Sequence, residues 1–176
     1  MTRENEEITM SINHPSPDKR LAAVCGLFCP SCTVYIATHE DPDRLKRLAQ
    51  EFRISEQAVR CYGCRSEKRL PYCETCKMAA CAAEKGIDFC GACETYPCGT
   101  LKEFQAARPH RIELWENQKR IRENGFEKWF KAMIEHYSCP KCQTLNSAYD
   151  LSCRACGYQP SCAYVNIHRS DIEAHR

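Results

Sequence analysis

Cysteines in close pairs recur along most of this chain, and they constrain its fold more than any other feature. Sixteen of the 176 residues are cysteine, a density that in a short secreted protein marks a disulfide scaffold. Met1 to Arg20 is polar and charged, without the apolar run of a signal peptide. No stretch reaches the roughly 18 apolar residues of a membrane span. The expectation is a cytoplasmic chain that meets no membrane, in which thiols stay reduced and repeated pairs serve as metal ligands.

Composition supports a metal-held fold. Once cysteine is set aside, only about a third of the residues are hydrophobic, which is lean for a conventional core, and small lean domains use metals or cross-links to hold together. Net charge is +2 and the isoelectric point is about 7.9. With acidic and basic residues interspersed, no field draws nucleic acid or anionic membrane. A nucleic-acid contact would be accessory at most. Residues 1–20, rich in Glu, Asn, Ser and Pro, read as a disordered leader.

The ordered chain is expected from Leu21. It opens on Cys25-x3-Cys29-x2-Cys32, followed by a short helix carrying Tyr35 and Ile36. Asp41-Pro42 is a helix start, with Asp41 as cap and Pro42 at the first helical position. Leu45, Leu48, Ala49 and Phe52 then mark one buried face. Ser55 begins a further turn before Cys61-Tyr-Gly63-Cys64, whose glycine suits the turn of a metal knuckle. An internal repeat comes next: Tyr72-Cys73-x2-Cys76-x4-Cys81 and Phe89-Cys90-x2-Cys93-x4-Cys98 share both spacing and a preceding aromatic. They read as two similar turn-then-helix units, the helix between them ending near Gly86.

Cys98 to Ala107 and residues 111–124 follow as helices. Phe126, Trp129, Phe130, Met133, Ile134 and Tyr137 then give the cleanest helical face in the chain. Two C-x2-C pairs, Cys139/Cys142 and Cys153/Cys156, lie ten residues apart, the spacing of a four-cysteine zinc ribbon. Gln143 stands where a knuckle often has glycine. Ala163 to Ile167 is expected as a closing strand, with a tail beyond.

With the ribbon taking four cysteines and Cys162 read as a buried small hydrophobe, eleven remain. Eleven does not divide into four-ligand sites, and their connectivity does not follow from the spacing. Cys61, Cys64, Cys73 and Cys76 make the simplest quartet on loop length, though interleaved pairing is equally open. Cys25-x3-Cys29-x2-Cys32 has the spacing of the radical S-adenosylmethionine motif. Ser31 replaces its usual aromatic, and no βα repeats follow to build a barrel, so radical chemistry is set aside. Iron–sulfur binding without that chemistry stays open, because all-thiolate sites suit clusters as well as zinc. His39 and His136 lie close in sequence to cysteines but read as helix-end histidines. No phosphate-binding glycine loop, nucleophile triad or pair of carboxylates in an apolar setting stands out.

The order Cys-Gly-Leu-x-Cys-x2-Cys-x2-Tyr at Cys25–Tyr35, Cys-x-Gly-Cys at Cys61–Cys64 and Cys-x2-Tyr-Pro-Cys at Cys93–Cys98 resembles the uncharacterised domain-of-unknown-function family 3795. Members are cysteine-rich proteins of bacteria and archaea, and some carry a terminal ribbon. The resemblance covers about residues 21–157. It implies that Cys25, Cys29, Cys32, Cys61, Cys64, Cys73, Cys76, Cys81, Cys90, Cys93 and Cys98 form one metal-binding unit, and it implies no reaction.

The fold expected is thus mainly α, small and metal-stabilised: a cysteine-knuckle helical domain at 21–110, linking helices at 111–137, a small β zinc ribbon at 138–168 and a tail at 169–176. The favoured function is metal binding, with Zn2+ in the ribbon and at the N-terminal sites. It would serve a protein-interaction module whose partner is another protein. The alternative is an iron–sulfur redox protein or enzyme with a [4Fe–4S] centre on the N-terminal cysteines. Whether the chain is an enzyme is left open.

Overall fold

A computed structural model describes residues 14–175, so most of the expected leader lies outside the described residues. The fold is mainly helical. Helix α1 (Thr33–His39) and helix α2 (Pro42–Phe52) pack against each other. Asp41 caps α2 as expected, its carboxylate accepting the Arg44 N–H at 2.8 Å. Leu45, Leu48 and Ala49 bury against Val34 and Ala37 of α1 and against Val59 of the short helix α3 (Glu56–Val59). Phe52, on the same stripe, is 41% exposed. It turns toward a cavity described below.

Helix α4 (Pro71–Glu74) and helix α5 (Lys77–Glu84) follow, then helix α6 (Gly99–Ala106). The expected repeat is only partly regular. Cys76 is the residue just before α5, which carries Cys81 within it. After Cys93 the chain instead makes a loop through Pro97, and α6 starts only after Cys98. Proline lacks the N–H that a continuing helix needs, so the second unit cannot copy the first.

The central core is built on helix α7 (Leu114–Asn124) and helix α8 (Phe126–Tyr137). Trp129, Phe130, Met133 and Tyr137 of α8 are buried, with Phe126 and Ile134 partly covered, as the periodicity predicts. Phe28, between Cys25 and Cys29, sets its ring edge-on to Trp129 and Phe130, with centroids 6.1 and 5.0 Å away. The first cysteine trio is thereby anchored to the middle of the molecule.

The C-terminal region departs from expectation. Among the described residues there is no strand, and the β architecture expected at 138–168 reduces to one isolated bridge between Ser138 and Leu145. Ala163–Ile167, expected as a closing strand, begins helix α9 (Ala163–Glu173), which also runs through residues read as tail. Val165 and Ile167 suggest strand alternation, yet Ile167 is 63% exposed. The buried positions are Tyr164, Val165 and Ile172, a helical spacing. Tyr164 stacks on Tyr137 of α8 at 5.1 Å, so the core pulls this segment into a helix.

Candidate metal centre

Cys139, Cys142, Cys153 and Cys156 bring their Sγ atoms within 4.8 Å of one another. Two of the edges are 3.7 Å (Cys139–Cys156) and 3.6 Å (Cys142–Cys153). A tetrahedral ion with metal–sulfur bonds of about 2.3 Å separates its thiolates by about 3.8 Å. The four thiols therefore already hold single-ion spacing.

Two matching turns create it. Gln143 N–H bonds to Cys139 O and Gly157 N–H to Cys153 O, each at 2.9 Å. The Cys139 N–H reaches Thr144 O at 2.9 Å and the Cys153 N–H reaches Tyr158 O at 2.8 Å. Gln143 and Gly157 occupy the same place in the two turns, with φ of 61° and 72°. Gly157 takes that left-handed conformation freely, whereas Gln143 adopts it under strain.

The residue that replaces a strand ladder is Asn146, which is wholly buried. Its amide nitrogen donates to Thr144 O (2.8 Å) and Ser161 O (3.2 Å) and lies 3.7 Å from Cys153 Sγ. Its carbonyl accepts the Arg154 N–H at 3.0 Å. One side chain thus spans both turns and the lead into α9. Sequence reasoning passed over Asn146, because an asparagine between two knuckles reads as an ordinary turn residue. Lys141 N–H points to Cys139 Sγ at 3.4 Å. Burial works to raise the Cys142 thiol, but hydrogen bonds with Thr144 and with the Cys156 and Cys153 thiols bring it down to about 6. For Cys156 the Tyr158 N–H works to lower the thiol, but burial and contacts with the neighbouring thiols push it up to about 12. A pocket with this donor chemistry suits a cation bound to thiolate.

The eleven N-terminal cysteines fall into two groups. Seven line one cavity of about 560 Å³: Cys25, Cys29, Cys32, Cys61, Cys64, Cys73 and Cys76. The Cys64 N–H donates to Cys29 Sγ at 3.3 Å. The Cys61–Cys64 turn needs its glycine: Gly63 has φ of 117°, and a β-carbon there would lie 2.5 Å from Arg20 O. Cys32 retains accessible surface although protein surrounds it, because that surface faces the cavity. Burial, and then the neighbouring Cys64, Cys61 and Cys32 thiols, push Cys73 up to about 12. The Cys25 thiol is pushed up by burial and by Cys64. Several thiols crowded in an apolar space ionise only when a cation shares it.

The other four, Cys81, Cys90, Cys93 and Cys98, gather outside the cavity. Lys85 Nζ lies 3.2 Å from Cys93 Sγ and feels Cys81 and Cys98 as well. Hydrogen bonds from the Thr95 hydroxyl and amide, and then from Lys85, bring Cys93 down to about 7. Burial, followed by Cys98 and Cys81, pushes Cys90 up to about 11. Cys162 is buried in the core among apolar side chains, with the Ser161 hydroxyl donating to its Sγ at 3.6 Å. The two histidines near cysteines serve elsewhere: His39 stacks on Tyr35 at 4.0 Å, and His136 Nε2 lies 3.0 Å from Glu113 Oε1.

One further residue ties the N-terminal turns to α7. Gln118 is 1% exposed. Its Oε1 accepts the Gly91 N–H at 2.7 Å and its Nε2 donates to Val24 O at 2.9 Å. The turns carrying Cys25 and Cys90 are therefore held by one buried amide.

Residues 21–103 match the sequence model of a family described as protein of unknown function (DUF3795). The match covers the N-terminal cysteine unit and stops short of the four-thiol site. No curated protein and no solved structure gives a significant match to the chain. No described helix is long and apolar enough to cross a membrane.

Proposed function

We propose that this protein is a thiolate metalloprotein in which one structural zinc, held by Cys139, Cys142, Cys153 and Cys156, organises the C-terminal region, and the N-terminal thiols hold further metal. The observation that carries the reading is the spacing of the four Sγ atoms, all within 4.8 Å. Four thiolates fill a zinc coordination sphere and leave no position for substrate, so the ion contributes to folding and not to chemistry. Asn146 and the Lys141 N–H orient the sulfurs, as outer partners of metal ligands do. Working contacts would then lie on the surface. With a net charge of +2, the partner that suits the molecule is another protein.

The test is metal content. Wild-type protein binds one zinc at this site, and Cys142→Ser lowers zinc by about one ion per chain. Zinc content unchanged by that substitution would overturn the assignment.

A further inference from the structure

The seven-cysteine cavity is built differently from the four-thiol site, and the contrast is internal to the molecule. At Cys139–Cys156 the sulfurs already stand at the spacing of one ion. Among the described residues, no three of the cavity thiols form such a group; they are distributed around the lining of the cavity. Within them, Cys32, Cys61, Cys64 and Cys73 each lie near enough to feel the other three, and Cys64 also meets Cys29 and Cys76. They come from three separate segments: the start of α1, the loop after α3, and α4. All four line the cavity. A mononuclear site would draw such thiols together, whereas a cluster fills the space between them with its own iron and sulfide.

A second observation points to the charge of the occupant. Arg69 lines the cavity, and its buried Nε has no hydrogen-bond partner. Its Nη1 is fixed by a bond to Cys64 O at 3.1 Å, so the guanidinium is held in place with one donor unused. A buried unpaired donor is costly, and an anionic group in the cavity would satisfy it. A cluster on four thiolates is net negative and accepts such hydrogen bonds at its sulfurs. Arg65 lines the same cavity, but its Nε is committed to Ala22 O at 2.9 Å. Arg69 is the group left to meet the ligand.

We infer that this cavity is an iron–sulfur site, with Cys32, Cys61, Cys64 and Cys73 as the thiolate ligands of a [4Fe–4S] cluster and Arg69 as a positioning residue that donates to its sulfur. The inference rests on the reading that the N-terminal thiols bind metal and names which metal and which thiols. The closing experiment uses the full chain, purified anaerobically or reconstituted with ferrous iron and sulfide. Expected are a brown protein with at least about four iron and four acid-labile sulfide per chain, and loss of most of that iron in Cys61→Ser and in Cys73→Ser. Both variants keep the single C-terminal zinc, which shows that they fold. In Arg69→Met the cluster persists but its midpoint potential falls, since a cation and a hydrogen bond near the sulfurs favour the reduced state. Zinc above one ion per chain with no sulfide would overturn the cluster while leaving metal binding by these thiols intact. No metal beyond the C-terminal zinc would overturn both. Iron retained in both cysteine variants would overturn the ligand assignment, and an unmoved potential in Arg69→Met would overturn the role of Arg69. Should the cysteine variants lose zinc as well, the sulfide content of the wild type and the Arg69→Met potential still decide.

Discussion

Single residues set the quality of the metal turns, and Gln143 is the least suited to its place. Its φ of 61° is one that glycine adopts without cost, as Gly157 does in the matching turn. A non-glycine residue there gives up about 1–2 kcal/mol, while glycine loses more freedom on folding. Gln143→Gly should therefore be stabilising by up to about 1 kcal/mol and slow zinc loss to a competing chelator. A lowered melting temperature would show that the glutamine side chain contributes something the turn geometry does not explain. Gln118 works in the opposite sense. Gln118→Leu leaves the Gly91 N–H without a partner in the interior, at a cost of about 1–3 kcal/mol, whereas Val24 O keeps the Cys90 N–H at 2.8 Å. Denaturant unfolding should show a loss of that size, and a change within a few tenths would mean that water replaces the amide. Neither partner is legible in the sequence. Gln118 sits in a run of charged residues, and its contacts lie 27 and 94 residues away.

At the scale of elements, what could be read were the features whose cause is local. The Asp41-Pro42 cap, the α8 stripe and the four-thiol spacing each follow from neighbours within a turn or two. The failed strand at Ala163–Ile167 has a distant cause: Tyr137, contributed by α8, selects the helical face of Tyr164. The β architecture missing from 138–168 likewise reflects Asn146, whose side chain supplies bonds that strands would have made. The division of eleven thiols into seven and four depended on where α3 and α4 carry Cys61–Cys76, which spacing does not encode. Elements are also tied across the molecule by an ion pair. Arg44 of α2 meets Asp150, in the loop between the two C-terminal turns, through Nη2–Oδ1 at 3.0 Å and Nη1–Oδ2 at 3.3 Å. Both side chains are largely buried, and Asp150 also accepts the Ser147 N–H at 2.8 Å. A double-mutant cycle of Arg44→Met and Asp150→Asn should give a coupling of about 1–3 kcal/mol. Coupling near zero would mean that the two regions hold together without this pair.

Across the whole molecule, stability depends on keeping charge in one place and out of another. Glu113, just ahead of α7, accepts from His168 Nε2 at 2.9 Å and from His136 Nε2 at 3.0 Å, so that its carboxylate joins α7, α8 and α9. Burial works to raise its pKa, but the hydrogen bonds from His136 and His168 win and hold it below the usual carboxylate value. His110 is the converse. Burial, and then Arg111 and Arg108, bring its pKa down to about 4. Arg111 Nε donates to His110 Nε2 at 3.2 Å, which leaves the Nδ1 proton to meet the Tyr149 oxygen at 2.5 Å. The folded protein therefore holds His110 neutral while the unfolded chain protonates near 6.5. Between those two values the unfolded state binds more protons, so stability is full above about pH 6.5 and falls as pH drops toward 4. The loss from this group is at most on the order of 3 kcal/mol. Glu113 adds its own loss below its ordinary value of 4.5, because its folded pKa is depressed and its stabilisation is present only while it is ionised. Release of a metal from the four C-terminal thiols as they protonate would run in the same direction, so the wild-type acid limb alone does not isolate the histidine. His110→Gln does. Denaturant midpoints measured from pH 8 to pH 4 should converge between variant and wild type as acidity rises, with the gap closing between 6.5 and 4. Parallel curves over that interval would show that His110 titrates alike in the folded and unfolded chain, and that the acid limb belongs to Glu113 and the metal thiolates alone.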